Sequence, residues 1–441
     1  MSGSPQYHEQ IDFVRRLFRH TVAKNTISLY GIQFAGYIIP LVTLPYLARV
    51  LRPRGFGLLL FSQSFALGAS TILEYGFNLC ATRKAAQSRG NKEKLGSIAA
   101  EVLGAKLILL VGFTVIAAVA AFAVSNFRQH PNYLLWAILQ ALALGLSPFW
   151  YFQGIERMVG AVLVELFARI GAAVSIFLVV KTSEDGWKAL ASLALTGCMI
   201  LLIQTLWMYA EIGFRWPQWE ASSRALRAGW NMFLFRGAYN TYVTANAFIL
   251  GLFAPSIQVG YYGGAERIAK AVQGLTSPFA QAFYPHMSRL VSDDRPRAAR
   301  LVRWTIPIAG AAGGALAVGL ALFASKGVPL VLGPGYAGSV GVLYVFALIL
   351  PVNTTNSALI MHWMLPLAME RVVGIVVVGA ILTNVISASV LAPRFAHVGM
   401  AWAILIAETF QLCALVTILI RHSWVSKRVF REAEPQPIEL L

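Results

Sequence analysis

Residues 327–369 read GVPLVLGPGYAGSVGVLYVFALILPVNTTNSALIMHWMLPLAM, and these 43 residues contain no Asp, Glu, Lys or Arg. A helix of about 20 apolar residues is long enough to cross the hydrocarbon core of a bilayer. Other long stretches are uncharged as well, namely 25–48, 107–127, 237–265, 304–325 and 372–393. A soluble fold cannot bury so many such segments, so the pattern predicts an all-α polytopic membrane protein.

The bulk composition agrees with this prediction. Of the 441 residues, 57% are hydrophobic and 12% are charged, and the mean hydropathy is +0.65. The hydrophilic stretches are short, so we expect no sizeable water-soluble domain. Any catalysis would therefore have to take place at or inside the membrane.

We predict about twelve membrane-spanning helices in two lobes of six. Their expected ranges are 25–50, 57–80, 97–123, 133–153, 159–180, 189–212, 229–253, 258–288, 304–325, 337–363, 371–391 and 397–420. The N-terminal lobe covers 25–212 and the C-terminal lobe 229–420, with a cytoplasmic linker at 213–228. An amphipathic cytoplasmic segment, 1–24, precedes the lobes, and a cytoplasmic tail, 421–441, follows them.

The net charge of +17 comes from basic residues that cluster in alternate loops. This is the distribution that sets the orientation of membrane proteins, so it argues against nucleic acid as a partner. We expect both termini in the cytoplasm. One group departs from the pattern, because Arg49, Arg52 and Arg54 follow the first predicted span.

Short matches relate the two halves of the chain. Residues 156–160, ERMVG, open the fifth predicted span, and residues 370–374, ERVVG, open the eleventh. Gly57, after the first span, corresponds to Gly260, after the seventh. Because each half has an even number of spans, the halves share one orientation and form a parallel repeat. Two such lobes would leave a central cavity suited to alternating access.

Charged residues within spans are the candidate functional residues, because each costs about 2.5–3.5 kcal/mol on insertion scales and needs a partner or a hydrated cavity. Glu165 and Arg169 are four residues apart in the fifth span and can pair on one helical face. We expect this pair either to be structural or to take part in gating.

A second group lies in the eighth span. Arg267 and Lys270 are three residues apart and share a helical face, and Arg236 lies on the seventh span. These three cations could bind an anionic substrate, since Arg and Lys both bind phosphate oxygens. Alternatively, Glu266 neutralises one cation while the others extend to the membrane surface.

Acidic residues in spans are the candidates for ion coupling. Glu74, Glu101 and Glu408 could each carry a proton, and Glu165, Arg169, Glu266 and Glu408 are the predicted coupling or gating residues. Walker A, HExxH, GxSxG and CxxC motifs are absent from the sequence. We therefore expect no metal or cofactor. We expect the energy for transport to come from an ion gradient or from the substrate gradient.

Three stretches resemble one known family. Residues 147–158, SPFWYFQGIERM, are similar to the segment after span four of bacterial polysaccharide flippases, the Wzx-like O-antigen and exopolysaccharide translocases. Residues 259–268, VGYYGGAERI, resemble the start of their span eight. Residues 25–46, followed by Leu51, Pro53 and Gly57, resemble their opening. The resemblance covers nearly the whole chain.

The resemblance implies a MATE-like fold, shared with multidrug-and-toxin extruders and lipid II flippases. It implies transport of undecaprenyl-diphosphate-linked oligosaccharide from the cytoplasmic to the periplasmic leaflet of the inner membrane, coupled to H+ or Na+. The cavity cations would be Arg236, Arg267 and Lys270. Membrane lipids, a polysaccharide polymerase and the chain-length machinery would be partners.

Two alternatives remain open. A MATE-type cation or drug antiporter would favour an acidic cavity, whereas the predicted spans contain no Asp. A membrane glycosyltransferase or polymerase would need a sizeable outer loop, and each predicted outer loop is short. We therefore expect a transporter rather than an enzyme.

Overall fold

A computed structural model of the chain describes residue 39 and residues 42–432. Within this range, only the backbone is described for 231–232, 234–236, 238–243, 277–282 and 422–432. The predicted segment 1–24, most of the first predicted span and the tail beyond residue 432 lie outside the described residues. The described chain is helical, as predicted.

The helices run in chain order and are joined by short turns. They are α1 (42–74), α2 (Phe77–Gln87), α3 (Lys92–Ala123), α4 (Ser125–Gln129), α5 (Pro131–Leu146), α6 (Phe149–Gly154), α7 (Met158–Val179), α8 (Gly186–Ile212), α9 (Trp219–Thr244), α10 (Asn246–Phe253), α11 (Ser256–Gly274), α12 (Ser277–Asp293), α13 (Arg295–Leu332), α14 (Gly338–Leu359) and α15 (Glu370–Glu432). A π-helical turn, Ile360–Met364, follows α14.

Local sequence explains where several helices begin and end. The Asn91 side chain caps α3 by accepting a hydrogen bond from the backbone N–H of Lys94 at 3.0 Å. Pro131 opens α5, where its missing N–H leaves no helical bond unmade. Gly213, with φ 72°, ends α8 in the left-handed region that glycine tolerates best.

Two of the long helices are broken. A straight helix of the length of α15 would extend about 95 Å, roughly three times the hydrocarbon thickness. Ala396, with φ 47° and ψ −125°, interrupts α15 between the predicted spans 371–391 and 397–420. Arg52, with φ 56°, interrupts α1 near the end of the first predicted span.

The helices agree with about twelve spans. Among the described residues, 8 helical stretches are long and apolar enough to cross a membrane. Two of them, Val42–Gln87 and Glu370–Arg421, contain the breaks described above. The first covers part of the first predicted span and all of the second, and the other covers the eleventh and twelfth. The predicted seventh and eighth spans are also helical, as α9–α10 and α11–α12, but they carry more polar and charged side chains.

The chain forms two compact units. The first comprises the described residues up to Gly263 together with Pro329–Tyr336. In it α5 packs on α8, α6 on α2 and α9 on α3. Trp150, Tyr151 and Phe152 of α6 lie in its core. Because α9 belongs to this unit, the division falls at Gly263 and the lobe boundaries 25–212 and 229–420 stay a prediction.

The second unit comprises Gly264–Val328 and the described residues from Ala337 onwards. In it α14 packs against α15, and the π-helical turn packs against α12. Its core includes Met364 of the π-helical turn and Leu415 of α15, both fully buried. The candidate residues of α11 and α15 lie in this unit.

Within the first unit, α11 starts against α1 at the two glycines that the repeat relates. A methyl group at Gly57 would overlap the carbonyl oxygen of Ser256 and lie 2.8 Å from the backbone nitrogen of Gly260. A methyl group at Gly260 would overlap the carbonyl oxygen of Pro53. Such a close backbone approach requires glycine on both helices.

The segment 329–336 packs against the same part of α1. The Tyr336 hydroxyl donates a hydrogen bond to the carbonyl oxygen of Ala48 at 2.9 Å. The Arg49 guanidinium donates to the carbonyl oxygen of Leu330. These contacts explain why residues 329–336 belong to the first unit.

Candidate functional site

The predicted cluster on α11 contains an ion pair. The Lys270 Nζ lies 3.0 Å from the Glu266 Oε1, and the two side chains are 47% and 13% exposed. The residues are four apart, so one helical face carries both. Glu266 therefore pairs with Lys270, and Glu266, Arg267 and Lys270 together carry a formal charge of +1.

The other two predicted substrate-binding cations have different positions. Arg267 is partly buried on the same turn of α11 as the ion pair. Arg236 lies in α9, and its side chain is outside the described residues. Substrate binding by Arg236, Arg267 and Lys270 stays a prediction.

The predicted pair on α7 is present. The Arg169 Nη2 lies 3.6 Å from the Glu165 Oε2, with side chains 47% and 19% exposed. The geometry is the four-residue spacing predicted from the sequence. A pair this exposed contributes about 0–1 kcal/mol to stability, and its role in gating stays a prediction.

Glu408 is the most enclosed of the predicted coupling residues, being 6% exposed. The Asn353 Nδ2 donates to its Oε1 at 3.1 Å, and the Asn356 Nδ2 donates to its Oε2 at 2.9 Å. The Asn353 Oδ1 in turn accepts a hydrogen bond from the Gln273 side chain on α11. Two neutral amides of α14 thus hold this buried carboxylate, and a third amide, on α11, holds Asn353.

Asn353 and Asn356 are not among the site residues predicted from the sequence. Asn353 follows Pro351 by two residues and Asn356 by five. Both lie in α14 within the long uncharged stretch, three residues apart. That spacing places both amides on one face of a helix. Two amides on one face of an otherwise apolar span are a signal that could have indicated a buried polar partner.

A second buried charged group lies in the first unit. Lys106 of α3 is 4% exposed, and its Nζ donates to the carbonyl oxygen of Ser147 at 3.2 Å. Glu74 interacts electrostatically with this ammonium group. One carboxylate oxygen of Glu74 accepts no hydrogen bond from the described residues. Glu101, by contrast, pairs with Lys84 at 3.0 Å near the surface.

The stretch 147–158 contributes to packing in this unit. Trp150 is 2% exposed. The Tyr151 hydroxyl donates to Glu211 of α8 at 2.8 Å, and the Trp207 indole nitrogen donates to the same carboxylate at 3.2 Å. Arg157 lies 3.3 Å from Glu211 as well. The motif therefore ties α6 to α8.

Within the part of the chain that the structure describes, no three His, Cys, Asp or Glu side chains are grouped to hold a metal ion. The charged and amide side chains described above are instead suited to binding an anion, a proton or a monovalent cation.

The fold defines the class of protein first. The chain is similar to an inward-facing multidrug resistance MATE family transporter of the MOP superfamily, with a TM-score of 0.63 and 15% identity, covering 89% of this chain and 99% of that one. It is also similar to the lipid II flippase MurJ in an inward closed conformation, with a TM-score of 0.62 and 15% identity, covering 88% and 87%. The chain therefore has the predicted MATE-like fold of a multi-pass membrane protein.

Sequence relatives then define the family. The family model described as "Polysaccharide biosynthesis protein" matches residues 22–291. A protein of Escherichia coli strain K12 named "Putative O-antigen transporter" is 31% identical over 332 residues, covering 74% of this chain and 79% of that protein. A protein of the same name from Shigella dysenteriae is 25% identical over 393 residues, covering 87% and 96%. The chain belongs to this polysaccharide biosynthesis family, which confirms the predicted resemblance.

Proposed function

We propose that this protein is a flippase for undecaprenyl-diphosphate-linked oligosaccharide repeat units. It moves them from the cytoplasmic to the periplasmic leaflet by alternating access during surface polysaccharide synthesis. The observation that carries the proposal is the 31% identity over 332 residues with a protein named as an O-antigen transporter. The MATE-like fold supports the transport mechanism.

Physical chemistry explains why such a substrate needs a protein. The sugar hydroxyls and the diphosphate would lose their hydration in hydrocarbon, at a prohibitive free-energy cost. Arg267 and Lys270, on one face of α11, supply cations for the diphosphate, and Arg236 adds a third on α9. The polyprenyl chain would stay in the lipid while the head group crosses through the protein.

For ion coupling we propose Glu408. A carboxylate held by the amides of Asn353 and Asn356 keeps its polar contacts whether it binds a proton or a Na+ ion. Glu266 and the Glu165–Arg169 pair are the further candidates for coupling or gating. Protonation or ion binding would change the charge that this part of the second unit carries.

The proposed setting is the bacterial inner membrane with both termini in the cytoplasm. The basic loop clusters support this orientation, because Lys and Arg concentrate on the cytoplasmic side of membrane proteins. The transported repeat units would pass to a polysaccharide polymerase and the chain-length machinery. On this proposal the protein is a transporter without catalytic activity of its own.

The test uses a strain that lacks the protein. Undecaprenyl-linked saccharides and surface polysaccharide are measured together, and we expect complete repeat units to accumulate while the surface polymer is lost. Incomplete saccharides would indicate a glycosyltransferase instead. Unchanged glycolipids with altered drug resistance would indicate the MATE-type cation or drug antiporter.

Complementation then tests the coupling residue. Wild-type protein should restore the polymer, and Glu408→Gln should reach the membrane normally but restore little of it. Glu220→Gln is the matched control, because Glu220 is exposed at the start of α9. Full restoration by Glu408→Gln would remove Glu408 from the coupling mechanism without affecting the flippase proposal.

A further inference from the structure

The basic group after the first span departs from the charge pattern of the chain. If the amino terminus is cytoplasmic, Arg49, Arg52 and Arg54 lie at the extracytoplasmic end of the first predicted span, at the break in α1, where basic residues are disfavoured. Arg49 has a structural role, because its guanidinium donates to the Leu330 carbonyl. Arg52 and Arg54 instead line a cavity.

The cavity lies within the first unit, where α1, the turn before α5 and the loop between α7 and α8 meet. Its volume is about 550 Å3, which is within the range of small-molecule binding sites. The lining residues that determine its chemistry are Arg52, Arg54, His130, Asn132, Glu184 and Trp187. These six residues supply two guanidinium groups, one carboxylate, one amide, one imidazole and one indole ring.

The two arginines are accessible to a ligand. Both are exposed, and neither forms a side-chain hydrogen bond or an ion pair with the residues that the structure describes. The exposed Glu184 carboxylate likewise forms no side-chain hydrogen bond or ion pair with the described residues. Arg52 also has φ 56°, a left-handed conformation that is uncommon outside glycine and is often found at functional sites.

The loop that forms one wall is held in place. The Asp185 carboxylate accepts hydrogen bonds from the backbone N–H groups of Lys181 and Thr182 at 3.0 and 2.9 Å. Asp185 is itself 7% exposed. The neighbours of Asp185 in the cavity, Glu184 and Trp187, are thus presented by an ordered turn, so little conformational entropy would be lost on binding.

We propose that this cavity binds a phosphate-bearing saccharide. The Trp187 ring can pack against the apolar face of a sugar, and Asn132 and Glu184 can hydrogen-bond its hydroxyls. Arg52 and Arg54 can bind the phosphate through charge-assisted hydrogen bonds. The inference rests on the proposed function and deepens it: the head group of the flipped glycolipid is held on the outer side before release.

The experiment measures binding to the purified full-length protein. The probe is N-acetylglucosamine 1-phosphate, with N-acetylglucosamine and inorganic phosphate compared separately, and the method is isothermal titration calorimetry. We expect the sugar phosphate to bind about tenfold or more tightly than either half alone, because both parts of the cavity contribute. Equal binding of inorganic phosphate, or no saturable binding of the sugar phosphate, would overturn the proposal.

Variants assign the binding to this cavity. Arg52→Gln/Arg54→Gln should weaken sugar phosphate binding about tenfold or more, and Trp187→Ala should also weaken it, with unchanged thermal unfolding. Arg128→Gln is the control, because Arg128 is exposed on the adjacent α4 but does not line the cavity. If Arg128→Gln weakens binding equally, or the double variant binds as wild type does, the assignment is wrong.

Two further arms identify the source of the ligand and the side of the membrane. Competition by undecaprenyl-diphosphate-linked N-acetylglucosamine in nanodiscs would assign the site to the transported glycolipid, and competition by lipopolysaccharide alone would assign it to a surface glycolipid. Asn132→Cys should react with a membrane-impermeant maleimide from outside the inner membrane. Labelling only from the cytoplasm would overturn the outer location.

The cavity proposal and the flippase proposal can fail independently of each other. If the wild-type gene restores surface polymer to the deletion strain but the double variant binds the probe normally, only the cavity proposal fails. If the deletion strain makes normal polymer and glycolipids, the flippase proposal fails whatever the cavity binds.

Discussion

Gly57 of α1 and Gly260 of α11 lie so close together that a methyl group on Gly57 would be 2.8 Å from the backbone nitrogen of Gly260. The repeat in the sequence relates these two residues, and in the first unit they meet. Since neither position has room for a side chain, the crossing depends on both residues being glycine.

Valine at either glycine should disrupt this crossing. We expect Gly57→Val or Gly260→Val to destabilise the purified protein by at least about 1–3 kcal/mol, the usual penalty for overpacking, because backbone would have to move. The measurement is thermal unfolding in detergent. Gly68→Ala on the same helix is the control, since a methyl group there would meet nothing within 4 Å. Equal melting of all variants would contradict the observed approach.

A double-mutant cycle tests the coupling between buried Lys106 and partly buried Glu74. Removing either group takes away their through-space attraction, so Lys106→Met and Glu74→Gln should each destabilise by about 1–3 kcal/mol, and the double variant by less than the sum of the two. The exposed pair Lys84–Glu101, whose charged atoms lie 3.0 Å apart, provides a comparison with an expected coupling of about 0–1 kcal/mol. Strict additivity at Lys106 and Glu74 would show that the two groups are independent.

The α11 cations should matter for transport rather than for insertion. We expect Arg267→Ala and Lys270→Ala to reduce surface polymer about tenfold, the loss typical of one charge-assisted contact, at normal membrane levels. Exchanging the pair as Glu266→Lys/Lys270→Glu keeps the ion pair but moves the cation, and should not restore activity. Lys92→Ala, an exposed change on α3, is the control. Full polymer in well-expressed Arg267→Ala and Lys270→Ala strains would exclude these residues from the substrate site.

Asp185 should make stability depend on pH in the acidic range. Burial alone would raise the pKa of this carboxyl, but hydrogen bonds from Lys188 and from the backbone of Lys181 and Thr182 hold the pKa well below its usual range. A depressed pKa stabilises the fold above the unfolded value of about 3.9, and this contribution is lost as the pH falls through the folded value.

The Asp185→Asn variant should therefore melt below wild type at neutral pH, with a difference that shrinks below about pH 4. Melting temperatures recorded across this range in detergent check the expectation. Asp293→Asn, at an exposed position at the end of α12, should show no such convergence. A constant gap between Asp185→Asn and wild type would mean that the hydrogen bonds do not depend on the charge.

Contacts along one helix could be predicted from the sequence. The Glu165–Arg169 and Glu266–Lys270 pairs follow from a spacing of four residues, because helical geometry alone brings those side chains together. For Lys270, the structure agrees with the alternative in which Glu266 neutralises one cation.

Contacts between helices could not be predicted in this way. Glu408 lies 52 residues from Asn356 along the chain. The hydrophobic periodicity of the two helices does not indicate which face of α15 meets α14. The same limit applies to Trp150, because its position in the core depends on contacts that other helices make with it.

The sequence by itself determined the solvent in which this chain folds, the helical class and the family. Uncharged stretches as long as 327–369 lie in lipid, where no water can hydrogen-bond the backbone. Their backbone N–H and C=O groups must therefore bond to one another within helices. Tertiary packing decided which polar groups lie together: Glu408 with Asn353, Lys106 with Ser147, and Arg52 with Trp187 around one cavity. The physical reason is that hydropathy and periodicity describe each helix separately, whereas the free energy of a buried charge depends on the groups that neighbouring helices bring to it.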